Sequence, residues 1–567
     1  MPNKKSYNQI FSTNYKRYEK LFSAIKVKSY NSTLSLLKTN RFRKPLDINL
    51  NHVNPFSRYN ETPLIEAINK SDFNIVKLLV DYGADVNKCL EGSVKKTPLT
   101  EAIEKGGEEI TEFLINRGAD VNCQNSWGKT PLELVSEKGW IKIVQLLLDK
   151  GAEVNCTKEN YSPSLLKASS EGHLEIVKTL ISKGAKINGK SLVFTALIES
   201  VSKGHFEIVK ELVEHGADIN KIIKVKFRDG EEDNALISAI QNGHEDIALF
   251  LIEKGAEINI KINKYTYPLI LASQKGFVKI VEKLIENGAL LDEINENGST
   301  ALIESITFDN FEIAKLLILN GADVNIKATD EEGEYNALCI SSAKGKTDIV
   351  SLLLNHSANV NIDNSYGETP LTLATEFNHI EVVKLLIENG ADINKKNHNN
   401  ICPLLRASIE GNKSIMSYLM KSGGKFLKEP EEYNLPLLEV AEKELWTPTN
   451  KEHVKAIGFL IEMGANINAK DKDGNSPLHI ATSCPRNNKI ISELLKYGAD
   501  INSKNNEGVT PLMNAIQWNK YKTVKNLIKH GANVNDKNID DTSVLDLARD
   551  NKKVFELLLK NGANPNI

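Results

Sequence analysis

The sequence has few cysteines and no long hydrophobic run. Its 567 residues include six cysteines and no Cys-x-x-Cys pair, which is too few for a disulfide framework. No run approaches the roughly 18 apolar residues that a membrane-spanning helix needs, and the first residues lack the apolar core of a signal peptide. We therefore expect no membrane insertion and a location in the cytoplasm, with the nucleus as the alternative.

An excess of either charge is also missing. The 71 basic side chains nearly balance the 74 acidic ones, and the formal net charge is -3. Such a balance provides no overall attraction to nucleic acid or to an acidic membrane. We expect no nucleic-acid partner.

Motifs for catalysis and metal binding are scarce as well. The sequence contains no His-Glu-x-x-His, Gly-x-Ser-x-Gly or protein-kinase signature, and its histidines lack metal-ligand spacing. The segment from Asp471 to Asn475 resembles the start of a calcium loop, but Thr482 stands where the bidentate glutamate would be. We expect no catalytic residue, no cofactor and no metal.

One segment, Gly184 to Ser191, matches the phosphate-binding pattern G-x-x-x-x-G-K-S. That mechanism needs a loop that leaves a buried strand and enters the N-terminus of a helix. Gly184 instead occupies the helix-ending position that Gly151 and Gly216 occupy elsewhere. Nucleotide binding is therefore the least favoured function, and saturable ATP binding that Lys190→Ala abolishes would restore it.

Repetition dominates the rest of the sequence. Gly-Ala pairs or close variants recur about every 33 residues, a period typical of repeat arrays. They start at Gly83, Gly118, Gly151, Gly184, Gly216, Gly255, Gly288, Gly321, Ser357, Gly390, Gly423, Gly464, Gly498, Gly531 and Gly562. Before each pair, apolar residues at helical spacing, such as Ile380, Val383, Leu386 and Ile387, predict a helix with one buried face.

A shorter helix precedes each of these longer ones. Its start carries Thr-Pro-Leu, as at Thr62-Pro63-Leu64, where threonine caps the helix and proline is tolerated in the first turn. Turn sequences such as Asn125 to Gly128 separate the units. Each unit is therefore a hairpin, a shorter first helix and a longer second helix.

Two positions of the first helix exchange volume between repeats. A polar second residue after Pro-Leu, such as Glu66, accompanies a large residue two positions later, such as Ile68. An apolar residue there, such as Leu134, accompanies a small one, such as Ser136. A close-packed interior favours such an exchange, so these glutamates are interpreted as rim residues rather than catalytic acids.

This order of Thr-Pro-Leu, a Gly-His step and Gly-Ala-Asp-Val/Ile-Asn resembles the ankyrin-repeat family over nearly the whole chain. The resemblance implies an all-α ankyrin-repeat solenoid, in which helix-turn-helix units joined by β-hairpin loops form a curved superhelical array. We count about fifteen repeats plus a degenerate N-terminal one. The expected domains are an N-terminal segment (1–20), the degenerate repeat (21–51) and the array (52–567), with insertions near 221–234, 326–335 and 443–453.

The resemblance also implies a function. We expect a non-enzymatic, monomeric scaffold that binds one or more proteins on the concave face of the array. The alternative is a substrate-recognition adaptor or regulatory subunit for an enzyme such as a ubiquitin ligase, although no F-box or other recruiting module is apparent outside the repeats.

Exposed aromatic residues mark the expected partner site. At the end of the first helix most repeats carry a polar residue such as Lys344, where three repeats carry an aromatic ring, and aromatic residues are enriched in binding hot spots. The main site is predicted between about Phe308 and Trp518. The candidate partner-binding residues are Trp127, Phe308, Tyr366, Phe377, Trp446 and Trp518.

The asparagine that closes Gly-Ala-Asp-Val/Ile-Asn has two predicted roles. Asparagine bonds readily to nearby backbone, so a local bond at the hairpin base is its expected structural role. The resemblance also implies that an asparaginyl hydroxylase can modify this residue. The candidates are Asn87, Asn122, Asn220, Asn325, Asn394 and Asn502.

Overall fold

The computed structural model describes residues 16–38, 62–88, 96–155, 163–188, 195–224, 232–262, 267–330, 333–426, 434–442, 451–484 and 488–565. These residues form successive pairs of helices, so the predicted all-α class is confirmed. The pairs are α1 (16–26) and α2 (Tyr30–Leu37); α3 (Pro63–Asn69) and α4 (Phe73–Asp81); α5 (Pro98–Glu101), extended by the π-helical turn Ala102–Gly106, and α6 (Glu108–Asn116); α7 (Pro131–Lys138) and α8 (Ile141–Asp149); α9 (Pro163–Ser170) and α10 (Leu174–Ser182); α11 (Ala196–Ser202) and α12 (Phe206–Glu214); α13 (Ala235–Asn242) and α14 (Glu245–Glu253); α15 (Pro268–Lys275) and α16 (Val278–Glu286); α17 (Ala301–Thr307) and α18 (Phe311–Leu319); α19 (Ala337–Ala343) and α20 (Thr347–Asn355); α21 (Pro370–Glu376) and α22 (Ile380–Glu388); α23 (Pro403–Ile409) and α24 (Lys413–Lys421); α25 (Asn434–Glu442) and α26 (Lys451–Glu462); α27 (Pro477–Ser483) and α28 (Asn488–Lys496); α29 (Pro511–Gln517) and α30 (Tyr521–Lys529); α31 (Val544–Leu547) and α32 (Lys552–Lys560).

The first helix of each pair begins as the sequence predicts. At α3 the Thr62 hydroxyl accepts a hydrogen bond from the Ile65 amide at 3.3 Å, and Pro63 occupies the first turn. Most residues of this helix are buried, because it packs on its own second helix, α4, and on the first helix of the next repeat, α5. The second helices bury a narrower stripe, which in α22 is Val382, Val383 and Leu386.

The contacts divide the chain into two compact units. The first comprises Met1–Ala272 and Lys279–Ala289, and the second comprises Ser273–Val278 and Leu290–Ile567. Each unit buries its own continuous set of aliphatic side chains from consecutive helix pairs.

Two of the expected insertions contain antiparallel strand pairs. In the first unit β1 (Ile223–Lys224) pairs with β2 (Glu232–Asp233). In the second unit β3 (Lys327–Asp330) pairs with β4 (Gly333–Asn336) in the register Lys327 to Asn336. Most of the third insertion, residues 443–450, lies outside the described residues. Residues 16–20, expected in the N-terminal segment, belong to α1.

Asparagine side chains join each repeat to the next. The Asn122 amide nitrogen donates to the Gly151 carbonyl at 3.1 Å, and its side-chain oxygen accepts from the Glu153 amide at 2.8 Å. We call such a pair of bonds an asparagine bridge. Complete bridges also form at Asn87, Asn155, Asn188, Asn220, Asn325, Asn361, Asn394 and Asn535. The local role expected for this side chain is therefore wrong, because both bonds cross to the following repeat.

One bridge in the second unit has only one of its two hydrogen bonds. Asp292 stands where most repeats have asparagine, and its carboxylate accepts from the Asp323 amide at 2.8 Å. A carboxylate has no N–H to donate, so the second bond of the bridge cannot form. Neighbouring repeats are held here by one side-chain hydrogen bond fewer.

The bridges lead to a test by exchange of amide and carboxylate. Asn122→Asp removes the donor to Gly151 and should lower the free energy of unfolding by about 1 kcal/mol. Asp292→Asn supplies a donor and should raise it by a similar amount. Urea denaturation measures both. Asn74→Asp, at an exposed asparagine with no side-chain hydrogen bond in the described part of the chain, is the control; an equal loss there would contradict the role of the bridge.

Candidate protein-binding surface

Three aromatic side chains project from the ends of first helices in the second unit. Phe308, Phe377 and Trp518 directly follow α17, α21 and α29, and they are 50%, 54% and 61% exposed. Each backbone amide still bonds to the helix, as in the 3.0 Å bond from Phe308 to the Glu304 carbonyl. The helix end therefore holds the ring toward solvent, and its role in binding stays a prediction.

The lysine at the equivalent position behaves differently. Lys344, which follows α19, donates from Nζ to the Thr307 carbonyl at 2.9 Å and to the Asp309 carboxylate at 2.7 Å. Its charge is thus used to close the end of the preceding first helix. Phe308 and Phe377 stand on either side of this repeat in the sequence of repeats, where no such bond is available to a ring.

A groove of about 300 Å³ begins at Thr307, the residue before Phe308. Its walls come from three successive repeats: the end of α17 at Thr307, the hairpin β3–β4 with α19, and the next turn. The lining residues are Thr307, Gly333, Glu334, Tyr335, Ile340, Asn364 and Tyr366. Of the predicted partner residues only Tyr366, 59% exposed, lines the groove, and Phe308 directly follows the lining residue Thr307.

The inserted hairpin β3–β4 builds one wall of this groove by resting on the following turn. The Glu334 amide donates to the Ser365 hydroxyl at 3.1 Å. Gly333 has φ +125°, and a Cβ there would collide with Ser365 Oγ. Glycine is therefore required for the close approach that fixes the hairpin beside Tyr366.

Charges along the groove are paired. Lys327 Nζ lies 3.1 Å from Glu334 and 3.7 Å from Asp363, and Lys395 Nζ lies 2.9 Å from Asp363. The hydrogen bond to Glu334 raises the pKa of Lys327, and the bond from Lys395 lowers the pKa of Asp363. Both groups stay charged at neutral pH. The groove therefore offers aromatic and amide contacts with mutually compensated charges.

A buried arginine, which the sequence analysis missed, lies farther along the second unit. The Arg406 side chain in α23 is 3% exposed; Nη1 lies 2.5 Å from Glu439 and Nη2 lies 2.9 Å from Glu368. Glu376 and Glu410 each approach it to 3.9 Å. These four carboxylates come from three successive repeats, so the arginine ties the repeats together.

Neighbouring amides support the same cluster. Asn397 donates to Glu368 at 2.6 Å, and Asn399 donates to Glu439 at 3.2 Å. Burial raises the pKa of Glu368 despite the opposing charge of Arg406. Burial disfavours the charge of Arg406 itself, but the carboxylates of Glu439, Glu376 and Glu368 outweigh it and raise its pKa. The guanidinium is thus the counter-charge on which the buried carboxylates depend.

A signal for this cluster exists in the sequence. Arg406 is the polar second residue after Pro403-Leu404, so the exchange of volume predicts a large residue two positions later. Ser408 stands there instead. A long side chain beside a small one at this pair of positions marks a group that reaches across repeats.

The other predicted partner residues lie apart from the groove. Trp127, 84% exposed, sits at a hairpin turn of the first unit, where its amide donates to Asn125 Oδ1 at 3.0 Å. Trp518 belongs to the second unit but follows α29, several repeats beyond α21. Trp446 lies outside the described residues.

The asparagines predicted as hydroxylation sites are exposed residues within the asparagine bridges. Asn394, for example, donates to the Gly423 carbonyl at 3.3 Å and accepts from the Lys425 amide at 2.8 Å. Asn502 accepts from the Asn533 amide at 2.8 Å. An enzyme would have to open these bonds to reach the side chain, and hydroxylation stays a prediction.

The nucleotide-like segment begins at the end of a helix. Gly184 has φ +83° directly after α10, and its carbonyl accepts from Asn155 at 2.8 Å. Residues 189–194, including Lys190 and Ser191, lie outside the described part of the chain. A helix C-terminus presents carbonyl groups, which repel phosphate.

Other reactive groups are buried or scattered. Burial raises the pKa of the Cys339 thiol to about 12, so it stays protonated at neutral pH. Within the described ranges no group of three or more His, Cys, Asp and Glu side chains is arranged to hold a metal ion. Over the same residues, no helix combines the length and the apolar composition needed to cross a membrane.

Removing the buried counter-charge tests the arginine cluster. Arg406→Met should destabilise the second unit by about 3 to 5 kcal/mol, because Glu368 and Glu439 would remain buried without compensation. Since burial holds the pKa of Glu368 above its usual value, the folded state binds that proton more tightly than the unfolded state, and stability should recover as the pH falls. Thermal unfolding at pH 8 and pH 5 measures both effects.

A surface ion pair provides the matched control. Arg549, whose side chain is 75% exposed, lies 2.7 Å from Asp546. Arg549→Met should cost less than about 1 kcal/mol at either pH. Equal losses for the two variants would show that the Arg406 cluster contributes no more than a surface pair.

A family model described as ankyrin repeats (3 copies) matches residues 21–125, 99–191, 190–262, 261–328, 325–397, 445–538 and 486–567. A putative ankyrin repeat protein of Fowlpox virus (strain NVSL) is 33% identical over 119 residues, which are 20% of this chain and 34% of that protein. The ankyrin repeat and KH domain-containing protein mask-1 of Caenorhabditis elegans is 35% identical over 115 residues, 20% of this chain and 4% of that protein.

Human ankyrin repeat and SOCS box protein 6 is 31% identical over 110 residues, 19% of this chain and 26% of that protein. The chain thus spans about a third or less of these relatives. The solved human ASB11 ankyrin repeat domain matches 41% of this chain and all of that domain, at 23% identity and a TM-score of 0.32. The family model covers most of the chain, in the order of the repeats read from the sequence, and the chain therefore belongs to the ankyrin-repeat family.

Proposed function

We propose that the chain is a non-enzymatic scaffold that binds a partner protein through the first-helix ends of its second unit. Ankyrin repeats are a protein-interaction module, which gives the general class. The observation that carries the location is the exposure of Phe308 and Phe377 in the two repeats that flank α19, together with the groove that Thr307 and Tyr366 line in the same part of the second unit.

Physical chemistry supports this surface over the others. Large aromatic rings that remain half exposed lose apolar contact with water only when a partner covers them, and such rings dominate binding energy at interfaces. The groove lined by Tyr366 supplies a depression for the partner, and the paired charges of Lys327, Glu334 and Asp363 avoid an unpaired buried ion on docking. Asn364 and Tyr366 add polar groups to the lining of the groove.

A second candidate function is that of an adaptor that presents a bound protein to an enzyme such as a ubiquitin ligase. It is favoured by the similarity to human ankyrin repeat and SOCS box protein 6, although the alignment covers only 26% of that protein. Recovery of ligase subunits together with the partner, when the full chain is purified from its native cell, would support the adaptor; a partner recovered without them would support the simple scaffold.

The proposed site predicts a specific loss of affinity. Once affinity purification and mass spectrometry provide a partner, Phe308→Ala and Phe377→Ala should each weaken binding about 30-fold, which corresponds to about 2 kcal/mol. Since several repeats contribute, the double variant should lose more than either single one. Isothermal calorimetry measures the affinity, and the thermal midpoint should stay nearly constant because both rings are exposed.

Leu319 serves as the control for general loss of apolar surface. It is 65% exposed at the end of α18, in the same repeat as Phe308 but on the second helix. Leu319→Ala should leave the affinity unchanged. An equal effect of all three substitutions, or a loss that follows the unfolding temperature, would contradict the proposed site.

A further inference from the structure

The second helices of the last three pairs are strongly basic. Together α28, α30 and α32 contain eight lysines and two glutamates, and α30 has no acidic residue. The chain as a whole carries a net charge of -3, so this local excess opposes the overall balance. This excess of positive charge lies in the second helices of the last three pairs.

The lysines occupy equivalent positions in successive repeats. Lys489, Lys522 and Lys553 lie in the first turns, and Lys496, Lys529 and Lys560 end the same helices. All six are exposed, and among the described residues only Lys496 has an ion pair, at 2.9 Å from Glu493. We call this surface, defined by these six lysines, the basic face.

Lysine in a first turn is unfavourable for the helix itself. The N-terminus of a helix carries partial positive charge, so acidic residues stabilise it and lysine opposes it. In α10, α12 and α14 the same first-turn position holds Glu175, Glu207 and Asp246, in agreement with that rule. The lysines of the basic face therefore do not serve helix formation.

The first unit contains a surface of opposite charge with the same spacing. Glu207 and Glu214 in α12, with Asp246 and Glu253 in α14, are exposed at the positions equivalent to the two rows of lysines. Of these four carboxylates, only Glu207 forms an ion pair within the described part of the chain, with Lys210 at 2.9 Å. We call this surface the acidic face.

Both faces share the geometry of the repeat. In each helix the two charged positions are seven residues apart, a rise of about 10.5 Å, and adjacent helices pack about 8 to 10 Å apart. Rows of lysine on one surface and rows of carboxylate on the other thus have matching intervals in both directions. The acidic face of a second copy of the chain is therefore complementary to the basic face in both charge and spacing.

We propose that the chain self-associates by docking the basic face of one copy on the acidic face of another. This inference replaces the monomer expected from the sequence and is independent of the proposed partner site, which shares no residue with either face. Because each copy carries both faces, each copy can make two contacts of this kind. The exposed lysines and carboxylates become paired, and salt screens the attraction.

Sedimentation equilibrium of the full chain tests the proposal. Self-association is expected at about 0.05 M salt and its loss at about 0.5 M salt, where the Debye length is shorter than the spacing of the charges. A chain that stays monomeric at every concentration in low salt overturns the proposal. So does a monomeric chain that is retained by single-stranded DNA or by phosphatidylserine vesicles through the basic face.

Charge reversal identifies the faces. The variant Lys522→Glu with Lys529→Glu lowers the charge of the basic face from about +6 to +2, and the variant Glu207→Lys with Glu214→Lys neutralises the acidic face, so each should associate far more weakly than the wild type. An equimolar mixture of the two should associate, since the unchanged acidic face of the first variant can dock on the unchanged basic face of the second. Failure of the mixture to associate, while both variants keep the wild-type circular dichroism spectrum, overturns the assignment.

A charge-matched variant excludes an effect of net charge alone. Lys315→Glu with Lys384→Glu changes the charge equally on α18 and α22, where each lysine pairs with a glutamate three residues earlier. This variant should associate as the wild type does. Loss of association here, equal to that of the basic-face variant, would also overturn the proposal.

Discussion

Two hydrogen bonds from one asparagine side chain set how neighbouring repeats meet. The Asn122 side chain satisfies a carbonyl and an amide of the next repeat at once, and the same pair of bonds recurs at equivalent positions along both units. Helix packing alone would allow adjacent pairs to slide. With the bridge in place, the ends of first helices fall at regular intervals, and the exposed rings and charged rows described above depend on that regularity.

Much of this architecture could be predicted because each signal is local and repeated. Thr62 and Pro63 start a helix through bonds within four residues, and a glycine such as Gly184 ends one. Alignment of the repeats also identified Phe308 as an aromatic residue at a position that is otherwise polar. The residue types that occupy one position in many repeats indicate whether that position is buried or exposed, even within a single sequence.

Contacts between repeats could not be predicted in this way. Arg406 pairs with Glu368, which lies 38 residues away in the sequence, and with Glu439, which lies 33 residues away. Only folding brings these side chains together. The groove beside Tyr366 depends on how β3 and β4 pair and on where their hairpin rests. Both features arise where the sequence departs from the repeat, so the regular pattern carries no information about them.

The asparagine bridges also affect how far the fold relies on an uninterrupted backbone. The two bonds of Asn122 reach residues 29 and 31 positions away, so they hold adjacent repeats by contacts that do not pass through the peptide linkage between them. A polypeptide cleaved in an intervening turn retains these bonds and the buried aliphatic contacts around them. Two fragments divided at a repeat boundary would therefore still present to each other the side-chain groups that hold the boundary together.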